Sequence, residues 1–421
     1  MQSTLGKIRN LRWWIITMLF ASTVINYLDR QTLSILARTI QNDLAITDVG
    51  YARVVQAFLL AYTLAYLVAG RLTDRLGVRW SLALFVGWWS LASLLTTFAR
   101  SVTSLGVFRF LLGLGEAGNY TAAPKAVSEW VPAKDRALAV GIYTAGATLG
   151  ATIAPPMIAW LATSCGWRGA FAITASLGFL WLIPWIWMYR SPWEHSRLTG
   201  EEAALVPPRQ RVDLESRRSE WSLFKEALLD QRTWLFTASR MVTDPVWYFY
   251  LFWFPKYLTD ARGLDLVRVG KVAWIVYLAA DIGSILGGWA SGALIRRGWN
   301  PVSSRLRVMS LVACCVPLGG LIALSPRMEI TLLLGALVAF CHLTWQVTMG
   351  ALVVDLWPQR ILATVFGLIA AGSGFGGLVS TGLVGKLVSS YSYTPVFALM
   401  AVLHPCALLL VLKASRRRTA G

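Results

Sequence analysis

Charged residues are scarce in this chain: only 14% of its 421 residues are Asp, Glu, Lys or Arg, where a soluble protein carries roughly a quarter. Three histidines and five cysteines occur, with neither metal-ligand spacing nor a disulfide framework. We interpret the cysteines as small buried hydrophobic residues. No phosphate-binding loop of the G-x-x-x-x-G-K-[ST] type is present. These absences argue against an enzyme and against nucleotide-driven transport, and the sequence predicts no cofactor and no metal.

Long apolar runs are abundant instead. Hydrophobic residues make up 56% of the chain, the mean hydropathy is +0.56, and each run of about 20 residues can cross a hydrocarbon core of roughly 30 Å. The sequence therefore predicts an all-α polytopic membrane protein, and the first run is expected to be a retained helix and not a signal peptide. The predicted helices are 13–36, 51–70, 80–99, 104–128, 137–162, 168–189, 234–256, 269–295, 307–325, 329–354, 361–385 and 393–413.

The net charge of +18 raises the question of nucleic acid as a partner. The basic residues are spread through short loops, so we interpret them through the rule that cytoplasmic loops are rich in Lys and Arg. Most of them fall on the side of both predicted termini. We therefore expect a bilayer and no nucleic acid as the partner, with both termini in the cytoplasm.

The longest polar stretch lies near the middle of the chain, at 190–233. It divides the sequence into a predicted six-helix bundle at 1–189, a cytoplasmic linker, and a second six-helix bundle at 234–421. The segment "GRLTDRLGVRW" at 70–80 is echoed by "GGWASGALIRRGW" at 287–299. A repeat at half the chain length is typical of secondary transporters.

The first of these segments resembles the G-x-x-x-D-R-x-G-x-R loop of the major facilitator superfamily. The resemblance implies the major facilitator fold, with 12 transmembrane helices in two six-helix bundles. In that family the loop is a cytoplasmic gate latch, so we expect a conformational role for its residues. They are Gly70, Asp74, Arg75, Gly77 and Arg79.

Longer segments resemble the anion:cation symporter family, and in particular its hexuronate transporters. They are "RFLLGLGEAGNYTAAPKAVSEWVPAKDRALAVGIYTAGATLGATIAPP" (109–156), "QRTWLFTASRMVTDPVWYFYLFWFPKYL" (231–258) and "DIGSILGGW" (281–289). The resemblance implies a proton-coupled symporter that imports a sugar acid by rocker-switch alternating access, in a bacterial inner membrane. We expect a monomer. The antiporter signature G-x-x-x-G-P is not reproduced after Gly146 and Gly150.

Glu116 falls near the middle of the fourth predicted helix, where an ionisable group is costly and indicates function. Arg109 lies seven residues earlier on the same face, roughly 10 Å along the axis, and Tyr120 extends that face. Two interpretations are open. Glu116 takes up and releases the coupling proton under the influence of Arg109, or it forms a fixed ion pair with Arg109 or with another helix.

Asp29 and Arg30 lie within the first predicted helix. Consecutive helical residues diverge by about 100°, so the two side chains cannot face the same neighbour, whereas Tyr27 shares a face with Arg30. The family resemblance implies that Asp29 is a second proton site, that Arg30 and Tyr27 approach the substrate carboxylate, and that Tyr62 offers a hydroxyl to the sugar. The alternative is an ion pair of helix 1 that locks one conformation.

The candidate site residues in the second half of the chain are less clearly defined. Arg240 and Asp244 stand at i,i+4, which predicts an ion pair within one helix; for Asp281 the structural and functional interpretations are equally favoured. His342, Trp345 and Gln346 share a face and offer the hydrogen bonds and aromatic surface that a sugar needs. A structural role remains the alternative for these three.

Two further functions remain open on the sequence alone. The substrate could be another organic anion, such as an aldonate or a dicarboxylate, since each offers a carboxylate with hydroxyls or a second acid. A membrane sensor that binds such a ligand without moving it is the second alternative.

Overall fold

The computed structural model describes residues 7–132, 136–206, 225–357 and 359–416, and this part of the chain is helical almost throughout. The α-helices are α1 (Leu11–Ile35), α2 (Ala37–Leu44), α3 (Asp48–Leu95), α4 (Val102–Trp130), α5 (Arg136–Met188), α6 (Gly200–Ala203), α7 (Gln231–Phe252), α8 (Phe254–Asp260), α9 (Leu266–Val272), α10 (Trp274–Arg296), α11 (Pro301–Cys315), α12 (Met328–Leu356), α13 (Gln359–Ser390) and α14 (Thr394–Arg416).

Two helices each contain a pair of predicted spans. Helix α3 breaks at Gly77, with φ 71°, and α5 breaks at Gly166, with φ 72°; such angles are readily adopted only by glycine. Among the described residues, eight helical stretches are long and apolar enough to cross a membrane, or nine if α2 and the first part of α3 form one bent span. The predicted span 104–128 lies within α4, and 234–256 covers most of α7 and the start of α8; α4 and α7 carry buried charges. The predicted all-helical membrane fold is confirmed.

The described residues group into two compact units. The first comes from Met1–Ile46 and Ala57–Arg211, and the second from Thr47–Gln56 and Val212–Gly421. The first turns of α3 thus belong to the second unit, although the rest of that helix belongs to the first. Much of the predicted linker, 207–224, lies outside the described residues.

In the first unit, α1 packs along α5 at two glycines. A methyl group at Gly146 would lie 2.5 Å from the carbonyl oxygen of Phe20, and one at Gly150 would lie 2.7 Å from that of Val24. Any side chain at either position would push the helices apart. These two glycines therefore fix the distance between α1 and α5.

The N-terminus of α1 is held by the short helix α6. Thr199 caps α6 by accepting a hydrogen bond from the Glu202 amide at 3.3 Å, as the spacing of Thr199 and Glu202 indicates. The Glu202 carboxylate does not bond back to α6 in reciprocal fashion. It accepts from the backbone N–H of Leu11 at 2.9 Å, so it satisfies a free donor of a different helix.

In the second unit, α7 begins at Asp230. Its carboxylate accepts from the Arg232 amide at 2.8 Å and from Trp357 Nε1 at 2.9 Å. Burial raises the pKa of the Asp230 carboxyl, but hydrogen bonds and charge from Arg232 together outweigh burial and hold that pKa below its usual value. Asp230 thereby anchors α7 to the end of α12.

Glycines of the segment 370–377 let α13 approach α7. A methyl group at Gly372 or Gly376 would clash with the backbone carbonyl of Thr237 or Met241, respectively. These two glycines therefore let the backbones of α13 and α7 pack closely.

A buried lysine organises another part of the second unit. Lys256 is 1% exposed, and its ammonium lies 2.7 Å from Asp48 Oδ1 and in contact with Asp260. Tyr393 donates to Asp260 at 3.0 Å, and Tyr51 donates to the Phe252 carbonyl at 2.5 Å. These bonds join α8 to the first turn of α3.

The cysteine interpretation is wrong for three of the five residues. Cys165, Cys314 and Cys406 are exposed on the described chain, Cys315 is half-buried, and Cys341 is buried; all five are free thiols. In a membrane protein an exposed helix face contacts lipid, so a weakly polar thiol is tolerated there without burial.

Replacing Lys256 should destabilise the second unit. In Lys256→Met the carboxylates of Asp48 and Asp260 lose their counter-charge, so we expect the free energy of unfolding to fall by about 3 kcal/mol and the thermal midpoint in detergent to drop by several degrees. Arg268→Met is the control, since Arg268 and its partner Asp265 are both exposed, and it should change stability by less than about 0.5 kcal/mol. Equal midpoints for the two variants would contradict this assignment.

Candidate functional site

The first unit contains a buried ion pair between helices. Arg30 of α1 donates from Nη2 and Nε to Glu116 Oε2 of α4, at 2.7 and 2.9 Å. Glu116 is 0% exposed and Arg30 is 6% exposed. The pair lies in a low-dielectric region, where each charge depends on the other for stabilisation. Of the interpretations left open for Glu116, the structure shows an ion pair with Arg30, a partner on another helix.

Aromatic rings surround the Arg30 guanidinium. Its central carbon lies 4.9 Å from the ring centroid of Tyr27, 5.3 Å from that of Phe58 and 4.8 Å from that of Tyr62. We call these three residues the arginine cage. Each ring presents its negative face to a cation, which stabilises the guanidinium in place of water.

Hydroxyl groups line the edge of the arginine cage. The hydroxyls of Tyr27 and Tyr120 are 3.1 Å apart, and Tyr66 donates to the hydroxyl of Tyr62 at 2.7 Å. The predicted residues Tyr27, Tyr62 and Tyr120 are therefore close together around Arg30. Phe58 and Tyr66 escaped prediction, although they stand four residues before and after Tyr62 and so share its helical face.

Asp29 points away from Arg30, as the helix geometry predicts. Its Oδ1 accepts from Ser93 Oγ at 3.0 Å, and the residue is 0% exposed. Arg109 approaches the Asp29 backbone carbonyl at 3.4 Å, and its guanidinium lies over the Phe171 ring at 5.1 Å. Asp29 therefore lies on a different face of α1 from Arg30, the partner of Glu116.

Asn119 fixes the register of α1 against α4. Its side-chain oxygen accepts from Ser22 Oγ at 3.0 Å, and its Nδ2 donates to Thr23 Oγ1 at 3.1 Å. Both bonds are buried. They hold Glu116, three residues earlier on α4, opposite Arg30.

The second unit contains a chain of polar side chains across α7, α12 and α14. The predicted Arg240–Asp244 pair is present, with 2.8 Å between Nη2 and Oδ2. Gln346 Nε2 lies 3.2 Å from Asp244 Oδ1 and 2.9 Å from His342 Nε2. His342 Nδ1 in turn lies 3.2 Å from His404 Nε2. His404 gave no signal in the sequence, because it stands alone on a distant helix.

The three sequence-predicted residues of α12 differ in exposure. His342 and Trp345 are 0% exposed, whereas Gln346 is half-buried. Trp247 stacks on the His342 ring, with centroids 5.9 Å apart and an interplanar angle of 5°. In the conformation described here, Gln346 is therefore the member of the three with exposed surface.

The predicted gate residues lie around the break in α3. Arg79 donates to the Ile186 carbonyl at 2.6 Å and lies over the Trp80 ring, and Arg75 is exposed. The side chain of Asp74, like Gly70, lies outside what the structure describes. Asp281 is half-buried on α10.

Charge pairs buried inside apolar helices define an integral membrane protein that handles a polar solute. The sequence model of the Major Facilitator Superfamily matches residues 19–345, and the chain belongs to that superfamily. It is therefore a membrane transporter and not an enzyme.

Similar proteins narrow the position of the chain within the superfamily. The chain is 31% identical to the hexuronate transporter of Escherichia coli strain K12, over 94% of this chain and 92% of that protein. It is 33% identical to the galacturonate transporter of Dickeya chrysanthemi, over 67% of this chain and 82% of that protein. The resemblance inferred from the sequence is confirmed.

The fold has a counterpart among solved structures. A bacterial homologue of the human lysosomal transporter Spinster, in an inward-facing and unoccupied conformation, aligns with a TM-score of 0.76 over 97% of this chain and 96% of that chain, at 18% identity. At that identity the likeness concerns the fold alone.

The Arg30–Glu116 pair should behave as a coupled unit. Arg30→Met and Glu116→Leu should each lower the free energy of unfolding by about 3 kcal/mol, because each leaves one buried charge unpaired. The double variant should be more stable than either single variant, since it leaves no charge behind. Chemical unfolding of the purified protein in detergent measures all four forms. Strictly additive losses would show that the two groups do not depend on each other.

Proposed function

We propose that the protein is a proton-coupled symporter that imports a hexuronate or a related sugar acid by alternating access. The observation that carries this proposal is the buried Arg30 guanidinium, held between Glu116 and the arginine cage. The names of the relatives, hexuronate transporter and galacturonate transporter, support the substrate class.

Arg30 is well suited to hold the substrate carboxylate. A guanidinium presents a planar fork of N–H donors that matches a carboxylate. Two of those donors, Nε and Nη2, contact Glu116. An incoming anion and an ionised Glu116 therefore compete for the same donors, whereas a protonated Glu116 releases them. This competition couples proton uptake to anion binding.

Asp29 is the second proton site of the proposal. It is buried and accepts a hydrogen bond from Ser93, so it lies on a different face of α1 from Arg30. Arg109, at the Asp29 backbone carbonyl, holds this turn of α1 and adds positive charge near both acids. Protonation from outside and release inside would then accompany each transport cycle.

Each unit, taken by itself, offers polar groups that suit the hydroxyls of a sugar acid. Tyr27, Tyr62 and Tyr120 carry phenol groups at the arginine cage, which suits the hydroxyls beside the carboxylate. In the second unit Gln346 is the proposed direct contact, with His342 and Trp345 completing that part of the site in the substrate-bound state.

The cycle follows from these assignments. With both acids protonated, Arg30 binds the anion on the outside; rearrangement of the two units opens the inside, where protons and substrate leave. The loop of Gly70, Asp74, Arg75, Gly77 and Arg79 acts as the gate in this cycle. Import with more than one proton would carry net positive charge inward, so the membrane potential would assist.

The setting is part of the same proposal. The Lys and Arg bias places both termini in the cytoplasm, and the bacterial relatives favour the inner membrane. The proposal includes a monomer as the functional form. Aldonates and dicarboxylates are the competing substrates, since each could also bind Arg30.

Glu116→Gln should abolish proton-driven accumulation of glucuronate in proteoliposomes. The amide keeps the shape of the side chain but cannot take up or release a proton, so a pH gradient should no longer drive uptake. Exchange of labelled for unlabelled glucuronate at equal pH should persist, because exchange needs no net proton movement. Glu329→Gln is the control, since Glu329 is exposed at the start of α12.

Two results would count against this assignment. Unchanged proton-driven accumulation by Glu116→Gln would remove Glu116 from the coupling mechanism. Binding of glucuronate by the wild-type protein without any exchange would indicate a sensor, which contradicts the transport function itself.

A further inference from the structure

In the second unit a series of polar side chains is linked by hydrogen bonds, and each link fixes which group donates and which accepts. We define the α12 polar chain as Arg240, Asp244, Gln346, His342 and His404. Its first link is the Arg240–Asp244 ion pair at 2.8 Å. In this ion pair Asp244 supplies the carboxylate, and an ionised carboxylate only accepts hydrogen bonds. The residue next to Asp244 must therefore donate a hydrogen bond to it.

Gln346 is the neighbour. Its amide group faces Asp244 Oδ1 at 3.2 Å, and only the NH₂ end can do so, because the carbonyl oxygen would be repelled by the carboxylate. The same nitrogen lies 2.9 Å from His342 Nε2. Both N–H donors of Gln346 are thus used within the chain.

The histidines carry this direction further. Since His342 Nε2 accepts from Gln346, a neutral imidazole bears its hydrogen on Nδ1 and donates it to His404 Nε2, 3.2 Å away. His342 is 0% exposed, and the parallel Trp247 ring packs against it. The Gln346 amide nitrogen has no lone pair with which to accept a hydrogen bond, so while Asp244 holds the amide in this orientation His342 Nε2 stays the acceptor.

The side-chain oxygen of Gln346, Oε1, is the remaining polar atom of this residue. Gln346 is half-buried, and within the described part of the chain no donor is bonded to its Oε1. The locked amide can present this oxygen, an acceptor, and cannot present its N–H groups.

We propose that Gln346 is a specificity-determining residue that accepts a hydrogen bond from one hydroxyl of the substrate, with Asp244 and His342 as the positioning residues that hold its amide. The inference rests on the proposed transport of a sugar acid and deepens it. A hydroxyl can donate to Oε1, whereas a second carboxylate would be repelled by it. The α12 polar chain therefore selects the polyol end of a monocarboxylic sugar acid against a dicarboxylate.

Deoxyfluoro analogues of glucuronate test the donor requirement. Fluorine at a ring position replaces a hydroxyl with a group of similar size that cannot donate. Each analogue competes with labelled glucuronate for exchange in proteoliposomes containing the full-length protein. In the wild type, fluorination at one position should weaken competition by about tenfold or more, because it leaves the Gln346 oxygen unpaired.

Two variants test whether the weaker competition by the fluoro analogue arises from Gln346. In Gln346→Leu the loss caused by the same analogue should shrink to about twofold or less, because no acceptor remains to be left unpaired. Val347→Ala is the matched control, since Val347 is the next residue and is exposed; it should keep the wild-type penalty.

His342→Phe tests the positioning role and replaces Gln346→Leu should that variant not fold. Phenylalanine keeps the stacked ring but offers no acceptor, so the Gln346 amide is no longer held on this side and can turn an N–H toward the ligand. The penalty for the fluoro analogue should fall, and the apparent KM for the dicarboxylate glucarate should drop relative to that for glucuronate. A purely structural role for His342 would leave the ratio of these two KM values unchanged.

The outcomes separate this inference from the proposed function. Exchange of glucuronate in the wild type, with no penalty from any fluorine or with a penalty that persists in Gln346→Leu, would overturn the role of Gln346 and leave the transport function intact. Absence of exchange with both glucuronate and galactonate would overturn the two together.

Discussion

The buried ion pair between Arg30 and Glu116 is the interaction on which the candidate site depends. Neither charge is tolerable alone at this depth, because an unpaired ion in a low-dielectric interior costs several kcal/mol. The rings of the arginine cage remove water from the guanidinium without supplying an anion. Arg30 therefore requires a carboxylate, which Glu116 supplies in this structure and for which, in the function proposed above, the substrate acid competes.

The two units use an Arg–acid pair in different ways. Arg30 and Glu116 belong to different helices, so their separation follows any shift of α1 against α4, and either partner can be exchanged. Arg240 and Asp244 stand one turn apart on α7, so their pairing persists whatever the helix does. The first pair is suited to a switch, and the second to a fixed reference from which Gln346 and His342 take their orientation.

Local rules predicted a good part of the site. The divergence of Asp29 and Arg30 follows from the 100° step of a helix, and the Arg240–Asp244 pair follows from i,i+4 spacing. The partner of Glu116 could not be obtained in this way. Arg109 shares its face but stands about 10 Å away along the axis, and Arg30 is brought to Glu116 by the packing of α1 on α4, where Asn119 bonds Ser22 and Thr23.

By itself the sequence determined the membrane-spanning helices, the superfamily and most of the residues around Arg30, because these depend on composition, helical period and motifs that are local in the chain. Tertiary structure alone decided which acid neutralises Arg30, that Glu202 binds the start of α1, and that His404 continues the polar chain from His342. Each of these contacts joins residues distant in sequence. No helical period relates such residues, and only the packing of one helix on another brings their polar atoms within hydrogen-bonding distance.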